Sequence, residues 1–410
     1  MLKLRSATVV ETDHPDSSNA AANGSARSGP EQRLVVELSG GEREGQRRAA
    51  IADVTLVGRA EVGDEVIVNT EALDLGLGSG GFDVVHVNLT RGLGGQGVPD
   101  ANVVKLNYTS LQHAVAPVEE GRLELPVEHP VAVLALHGQL APVAWAFAQA
   151  APELRLGYVQ TEGGALPGGH SRTVRALRRQ GLLAGHLTAG AAFGGEGEAI
   201  TTAGALHHGL RALGWDAALC GPGPGIVGSS STLGHGGMVA LDSAHVALAL
   251  GASTLLVARM SSGDERTRHR GISHHTLTVL DLLLAPVTVA LPAGMRSPVG
   301  AELLAGLGGP VGLGAVFGAQ SRTSSPESRP ALALDVQRPV RITRHDWRRA
   351  AVDLPGYARS GLPAQTMGRT LAQDPLFFAA ALAGGSALAE LAGAPSAGHA
   401  EMEESSGPTG

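Results

Sequence analysis

The sequence predicts a doubly wound, Rossmann-like α/β domain that follows a small β-barrel-like domain. From Val131 onward, short apolar runs without polar alternation are separated by segments of helical spacing. This pattern is typical of a mostly parallel sheet that is covered by helices on both faces. Before residue 110, the runs alternate apolar and polar residues and are punctuated by turn signals such as Gly63-Asp64, which favours a compact β domain with little helix.

The N-terminal elements follow from alternation and turns. The predicted strands are residues 3–12, 34–38, 47–54, 62–68 and 83–88. Residues 13–30 are polar, small and rich in Pro and Gly, so we expect a flexible insertion there. We assign residues 1–115 to this small β domain.

The α/β domain is assigned to residues 130–350. Its predicted strands are 131–136, 156–160, 183–188, 217–220, 254–259, 287–291 and 331–336, and they alternate with predicted helices at 140–150, 170–180, 200–213, 238–250, 273–284 and 299–307. Residues 351–392 are expected to form a C-terminal helical segment. Residues 393–410 are mostly Ala, Gly, Ser and Glu, and we expect a disordered tail.

Composition limits the class of protein. The chain of 410 residues carries a formal net charge of −7 and 3% aromatic residues, which argues against nucleic acid as a partner. Its single cysteine, Cys220, cannot form an intramolecular disulfide, which fits a reducing compartment. The N-terminus lacks the apolar region of a signal peptide, and the most apolar stretch, Val246–Ala258, is too short for a membrane span. We expect a cytoplasmic protein with no membrane partner.

A glycine-rich loop follows the predicted strand at 217–220. The glycines Gly221, Gly223 and Gly225 lack a Cβ and could let the backbone approach a ligand, and free N–H groups near a helix start favour an anion. We interpret Ser229 and Ser230 as hydrogen-bond donors to that ligand or as helix N-caps. The loop matches neither a P-loop nor GxGxxG, so a tight structural turn is the alternative.

Other candidate residues follow neighbouring strands. In parallel sheets ligands bind beyond the carboxyl ends of the strands, so we predict that the loops at 161–164, 221–225 and 264–275 converge at one edge. The ligand-binding candidates in the first of these loops are Thr161, Glu162, Gly163 and Gly164. His137 follows the first strand of the domain.

The third loop is rich in arginine and histidine. Guanidinium groups match phosphate or carboxylate bidentately, so Arg266, Arg268 and Arg270 are predicted to clamp an anion; a solvated charged loop is the alternative. His274 and His275 are adjacent and diverge by about 100° on a helix, which makes it hard for both to face one metal. The catalytic residues stay unknown, and no metal site is assigned. The catalytic candidates are His137, Asp264, His269 and His274.

Several motifs occur together in one order: LGLGSGGFDVV, KLNYTSLQ, YVQTEGGALP, GPGPGIVG and RHRGISHHT. The set resembles an uncharacterised family of actinobacterial and related bacterial proteins, described only as a domain of unknown function. The resemblance spans roughly residues 1–350. It implies a cytoplasmic bacterial protein without an established activity, and it supplies no catalytic residues.

Three hypotheses follow for the function. The first is that the α/β domain binds a small anionic ligand, a nucleotide or a phosphorylated metabolite, at the C-terminal edge of its sheet; whether it is an enzyme is left open, and no cofactor is indicated. The second is a metal-dependent hydrolase that uses the four catalytic candidates. The third is a non-enzymatic interaction scaffold whose barrel, residues 1–115, docks a partner, which a pull-down with that part would test. Homo-oligomerisation also stays open.

Overall fold

The computed structural model describes residues 2–13, 30–76, 81–95, 97–119, 121–164, 167–229, 231–293, 342 and 344–393. The predicted tail, most of the predicted insertion at 13–30, the helix at 299–307 and the strand at 331–336 lie outside these residues. The chain divides into two compact units. Unit 1 contains Met1–Pro117 and Pro167–Ser171, and unit 2 contains Val118–Leu166 and Arg172–Gly410.

Unit 1 is built around a closed five-stranded barrel, as the alternating pattern predicted. Its strands are β1 (Leu4–Thr12), β2 (Glu31–Ser39), β3 (Arg47–Asp53), β4 (Glu65–Asn69) and β5 (Asp83–Asn88), in the order β1-β2-β3-β5-β4. Only β3 and β5 pair in parallel within this barrel. Two four-residue helices, α1 (Val54–Val57) and α2 (Glu71–Asp74), and a short hairpin of β6 (Val103–Lys105) and β7 (His113–Val115) complete the described part of the unit.

Unit 2 contains a sheet of eight parallel strands, which confirms the predicted α/β fold class. The strands are β8 (Val131–Val133), β9 (Leu156–Thr161), β10 (Gly185–Ala189), β11 (Gly197–Ala199), β12 (Ala217–Pro222), β13 (Thr254–Leu256), β16 (Thr288–Pro292) and β17 (Asp346–Ala350). They are arranged in the order β11-β10-β9-β12-β8-β13-β16-β17, and every neighbouring pair is parallel. β12 therefore lies between β9 and β8, and β13 lies on the other side of β8.

Helices cover both faces of this sheet. They are α3 (Leu140–Ala150), α4 (Arg172–Arg179), α5 (Thr202–His207), α6 (Val239–Ala249), α7 (His274–Leu282), α8 (Leu354–Arg359) and α9 (Pro375–Leu391). A π-helical turn, His208–Ala212, continues α5. One core layer joins α5, α6 and α7 to the sheet, and the other joins α3, α4 and α9 to its opposite face. Within the described residues, no helix has both the length and the apolar character needed to cross a membrane.

Two short hairpins stand outside the main sheet. β14 (Met260–Ser261) pairs with β15 (Gly271–Ile272), and β18 (Gln365–Thr366) pairs with β19 (Arg369–Thr370). The first hairpin leads directly into α7, and the second leads into α9. These two connections supply most of the charged residues that are considered below.

The backbone of α9 lies very close to α3 at Gly385. A Cβ added to Gly385 would lie 2.8 Å from the Ala146 Cβ and closer still to the Val143 carbonyl oxygen. All of α9 except its ends and Ser386 is buried. Glycine at position 385 therefore lets two helices approach more closely than any side chain would allow.

We expect Gly385→Ala to destabilise the protein by about 1–3 kcal/mol, because the added methyl group overpacks the contact with α3. The sign of the change in the free energy of unfolding is informative, because Gly→Ala in an exposed helix stabilises a protein by up to about 1 kcal/mol. Urea denaturation measures the change, and Glu390→Ala at an exposed position of the same helix is the control. A stabilised Gly385→Ala variant would refute the close packing.

Candidate functional site

The candidate site is centred on residues 259–275, which we call the arginine–histidine segment. It begins beyond the carboxyl end of β13, runs through the β14–β15 hairpin and enters the first turn of α7. Ser273 caps this helix, because its Oγ accepts a hydrogen bond from the His275 backbone N–H. The segment therefore lies at the C-terminal edge of the parallel sheet, where the fold class places its ligands.

Asp264 holds the arginines of the segment in place. Its carboxylate accepts two hydrogen bonds from Arg266, each 2.9 Å long, and a longer one of 3.4 Å from Arg369. Arg259 lies 3.8 Å from the same carboxylate. Arg270 donates instead to the Asp264 backbone carbonyl. Burial opposes ionisation of Asp264, but the hydrogen bonds and charge of Arg266 prevail and hold its pKa well below the usual range.

A second buried carboxylate, that of Asp374, ties the start of α9 to the same loop. It accepts hydrogen bonds from the Ser261 hydroxyl at 2.6 Å, from the backbone N–H groups of Ser262 and Gly263, and from Arg369. Burial opposes its ionisation too, but these donors lower its pKa. Two aspartates thus offset part of the charge of the arginines, and the surplus around the segment is positive.

Four histidine rings meet beside these arginines. His269, His274 and His275 come from the segment, and His235 comes from the loop between β12 and α6. His235 stacks on His275 with ring centroids 3.3 Å apart. The His269 ring lies 4.9 Å from that of His274 and 4.8 Å from that of His275. The Nε2 atom of His274 is buried and has no hydrogen-bond partner among the described residues.

Arginine contacts fix the tautomers of two of these rings. Arg259 donates to Nδ1 of His275 over 2.8 Å, and arginine can only donate, so the proton of neutral His275 must lie on Nε2. Arg268 donates to Nε2 of His269 over 3.4 Å. His269 therefore carries its proton on Nδ1, which donates to the Ser273 hydroxyl over 2.8 Å. The cluster thus offers both an N–H donor and a basic ring nitrogen.

The imidazoles of the cluster are neutral at pH 7. Burial, followed by repulsion from Arg259, lowers the pKa of His269 to about 3. Burial and Arg268 lower the pKa of His274 to about 4, and burial lowers the pKa values of His235 and His275 as well. The buried Arg259 keeps its charge, since burial lowers its pKa only to about 10.

The structure brings together the three loops that the sequence predicted to converge. Gly164 pairs with Ile226, which joins the loop after β9 to the loop after β12. The latter loop closes on itself through the pair Gly228–His235, and His235 reaches the arginine–histidine segment by stacking on His275. The histidine cluster therefore draws residues from two of the three loops.

The glycine-rich loop has a different setting from the one expected. A Cβ at Gly221 would lie 2.7 Å from the Leu134 Cβ, and a Cβ at Gly223 would meet the Gln160 amide. Both glycines are buried against the protein's own atoms, and Gly225 is an exposed turn residue with φ of 88°. The close approach that these glycines permit is thus to the neighbouring strands, as in the alternative of a tight structural turn.

Ser229 does not cap a helix, contrary to the N-cap interpretation. Its hydroxyl accepts from the backbone N–H of Ser231 and donates to the Gly234 carbonyl, so it closes the hairpin that carries His235. α6 begins after Met238 without a side-chain cap. Ser230 lies outside the described residues. In the loop after β9, Thr161 is buried and donates to the Glu162 carbonyl, Glu162 is exposed, and Gly163 has a positive φ.

His137 belongs to a separate polar cluster. Its Nδ1 lies 3.4 Å from the Tyr158 hydroxyl, which donates to the Gly221 and Pro222 carbonyls over 3.1 Å each. The Tyr158 ring stacks on His186 at 5.3 Å. Burial lowers the pKa of His137 to about 4 and that of His186 to about 3. The cluster joins β9 and β10 to the carboxyl end of β12.

The structure regroups the metal-ligand candidates. Among the described residues, the set whose ligand atoms all lie within 4.8 Å of one another contains His269, His274 and His275, and it includes neither His137 nor Asp264. The expectation that His274 and His275 diverge too far is wrong, because both lie in the first turn of α7 with rings 4.3 Å apart. Asp264 is engaged by Arg266 and is not available to a metal.

Sequence reasoning missed four members of the site. Arg259 and His235 were not singled out because each stands alone in its loop, and Arg369 and Asp374 lie about a hundred residues further along the chain. An isolated arginine directly after an apolar strand was the available signal for Arg259. Nothing in the local sequence marked His235, whose role depends on its stacking partner.

The fold and the site together define an α/β protein with an arginine- and histidine-lined centre at the C-terminal edge of a parallel sheet. The chain belongs to a family of proteins of unknown function, DUF3866, which matches residues 49–385. Comparisons with curated proteins and with solved structures found no match.

The pKa values of the cluster predict how stability depends on pH. In the unfolded chain these histidines take up protons below about pH 6.5, whereas folded His274 resists protonation down to about pH 4. Acid therefore favours unfolding, and the free energy of unfolding should fall as the pH drops from 6.5 towards 4. His274→Gln should make this fall shallower, as measured by urea titrations across that range. His86→Gln in the barrel is the control, and equal slopes for the two variants would contradict the assignment.

Proposed function

We propose that unit 2 binds a small anionic ligand, a nucleotide or a phosphorylated metabolite, at the arginine–histidine segment. The observation that carries the proposal is the convergence of four neutral imidazoles with the buried guanidinium of Arg259. A buried positive charge among uncharged N–H donors is suited to a phosphate or carboxylate group. Of the two features on which the first hypothesis rests, the glycine loop and the arginine cluster, the proposal keeps the cluster, in the segment that follows β13.

The charge balance supports an anion. Arg259, Arg266 and Arg369 share the single carboxylate of Asp264, and Arg369 also contacts Asp374. Within the same segment, Arg268 and Arg270 add two positive charges and Glu265 adds one negative charge. Burial first, and then the charges of Arg259, Arg266 and Arg268, lower the pKa values of His269 and His274, so the arginines oppose added positive charge. The same charges favour a negatively charged ligand.

The arginines that contact the anion differ from the predicted set of Arg266, Arg268 and Arg270. Arg266 is bound bidentately by Asp264, so its fork is already used. Arg268 is half-buried beside His269 and lies closer to the cluster, and His275 presents its Nε2–H there. We assign the ligand contacts to Arg259, Arg268 and the histidines, with Arg266 and Asp264 as supports.

Sulfate should stabilise the protein through this site. Sulfate keeps its charge between pH 6 and 8. At a concentration one hundred times its Kd, it should raise the free energy of unfolding by about 2.7 kcal/mol. Binding should be weaker at high ionic strength and should change little between pH 6 and 8, because imidazoles with pKa values of about 3 and 4 stay neutral throughout that range.

Thermal shifts with sulfate, and then with nucleotides and sugar phosphates, measure this effect. Arg268→Ala should reduce the sulfate shift, whereas Arg349→Ala, an exposed arginine on β17, should not. No shift with any anion, or an unchanged shift in Arg268→Ala, would overturn the proposal.

A metal-dependent hydrolase is the second candidate, because three histidines lie within reach of one ion. The contact between Arg259 and Nδ1 of His275 counts against it, since neutral His275 then has a proton on its remaining nitrogen. Zinc prefers imidazole nitrogens with a free lone pair. The arginines also repel a dication.

Elemental analysis and zinc titration decide between the two candidates. We expect purified protein to carry less than stoichiometric metal and added zinc to leave its thermal midpoint unchanged. Stoichiometric zinc that His274→Gln abolishes would replace the anion proposal by the metal one.

A bacterial source and a cytoplasmic location remain part of the proposal. They are supported by the motif resemblance and by the single cysteine, Cys220, which is buried and has its pKa raised by burial to about 12. A thiol of that kind is unreactive.

A further inference from the structure

His269 differs from the other rings of the cluster because its basic nitrogen is defined. The donor contact from Arg268 places the lone pair on Nε2, and the Nδ1–H bond to Ser273 orients the ring. The lone pair of His275 is held more tightly, since Arg259 donates to its Nδ1 over 2.8 Å, whereas the contact from Arg268 to Nε2 of His269 is 3.4 Å long. His269 is also buried, with 1% of its surface exposed.

The surroundings of Nε2 suit a phosphoryl group. Arg268 is beside the atom, and the His275 ring, with its Nε2–H donor, lies 4.8 Å from the His269 ring between centroids. These donors could neutralise phosphoryl oxygens while the lone pair faces phosphorus. The low pKa of His269, caused by burial and Arg259, keeps the ring unprotonated and therefore nucleophilic at neutral pH.

Building on the proposed anion site, we propose that Nε2 of His269 accepts a phosphoryl group from an acyl phosphate or a phosphoanhydride. The Nε2 lone pair forms a bond to phosphorus, and the bond from phosphorus to the bridging oxygen breaks with its electron pair going to that oxygen. The leaving group departs as a carboxylate or phosphate anion and needs no proton. The Nδ1 proton stays on the ring and remains hydrogen-bonded to the Ser273 hydroxyl, so the product is a phosphorylated imidazolium.

Water completes the turnover. Its oxygen attacks phosphorus, the electron pair of the N–P bond returns to Nε2, and both protons of the water leave on dihydrogen phosphate. No oxidant, reductant or metal enters the balance. The choice of donor follows from the site: Asp264 and Asp374 are ionised and held by arginines, so neither can protonate a poor leaving group.

The test uses the full-length protein with acetyl phosphate and, separately, with pyrophosphate. Intact-protein mass spectrometry should show the addition of one phosphoryl group that is labile in acid and stable in base, and tandem mass spectrometry should locate it on His269. His269→Asn and His269→Gln should lose the label, and Ser273→Ala should form it several-fold more slowly. His129→Gln, a histidine outside the cluster, should be labelled like the wild type.

Sulfate binding separates this inference from the proposal beneath it. A wild-type protein that is stabilised by sulfate but never labelled refutes the phosphoryl acceptor and leaves the anion site standing. A label on His274, His275 or a carboxylate overturns the assignment to His269, as does a label that persists in a folded His269→Asn. Absence of both sulfate binding and label refutes both ideas.

Discussion

The buried carboxylate of Asp264 is the constraint on which the candidate site depends. One negative charge, 2% exposed, orients Arg266 bidentately and lies within 4 Å of Arg259 and Arg369. Asp264 and Arg259 are both buried, and breaking a buried pair typically costs about 3–5 kcal/mol, because the remaining charge loses its compensation. The geometry of Arg266 and the position of Arg259, whose contact sets the tautomer of His275, follow from the arrangement that Asp264 maintains.

Much of the fold could be predicted from the sequence, because it depends on local patterns of apolar and polar residues. Buried parallel strands need continuous apolar runs, and runs such as Ala217–Cys220 have no other ready explanation. The barrel could also be predicted, because a strand with one buried face alternates apolar and polar residues. What local patterns could not show is the strand order, in which β12 inserts between β9 and β8, because that order is decided by tertiary packing.

The site could be predicted only in part, because tertiary contacts decide which of its groups are already paired. Sequence placed the right segment at the right sheet edge, because the fold class determines where strands end. It could not tell that the fork of Arg266 is already bound by the carboxylate of Asp264, and so it ranked Arg266 with Arg268. Glycines 221 and 223 were ambiguous, because a missing Cβ serves a ligand and a neighbouring strand equally well. His235 acquires its role through stacking, which leaves no trace in local sequence.

The close contact of α9 with α3 also bears on how the protein is made. The two helices share a core layer, yet more than two hundred residues separate them in the chain. α9 also completes the surroundings of the arginines, since Asp374 directly precedes it. During synthesis, the part of this core layer that α9 covers must therefore stay open until residues 375–391 have been made. Until then the nascent chain exposes an apolar surface, which is the situation in which chaperones are needed.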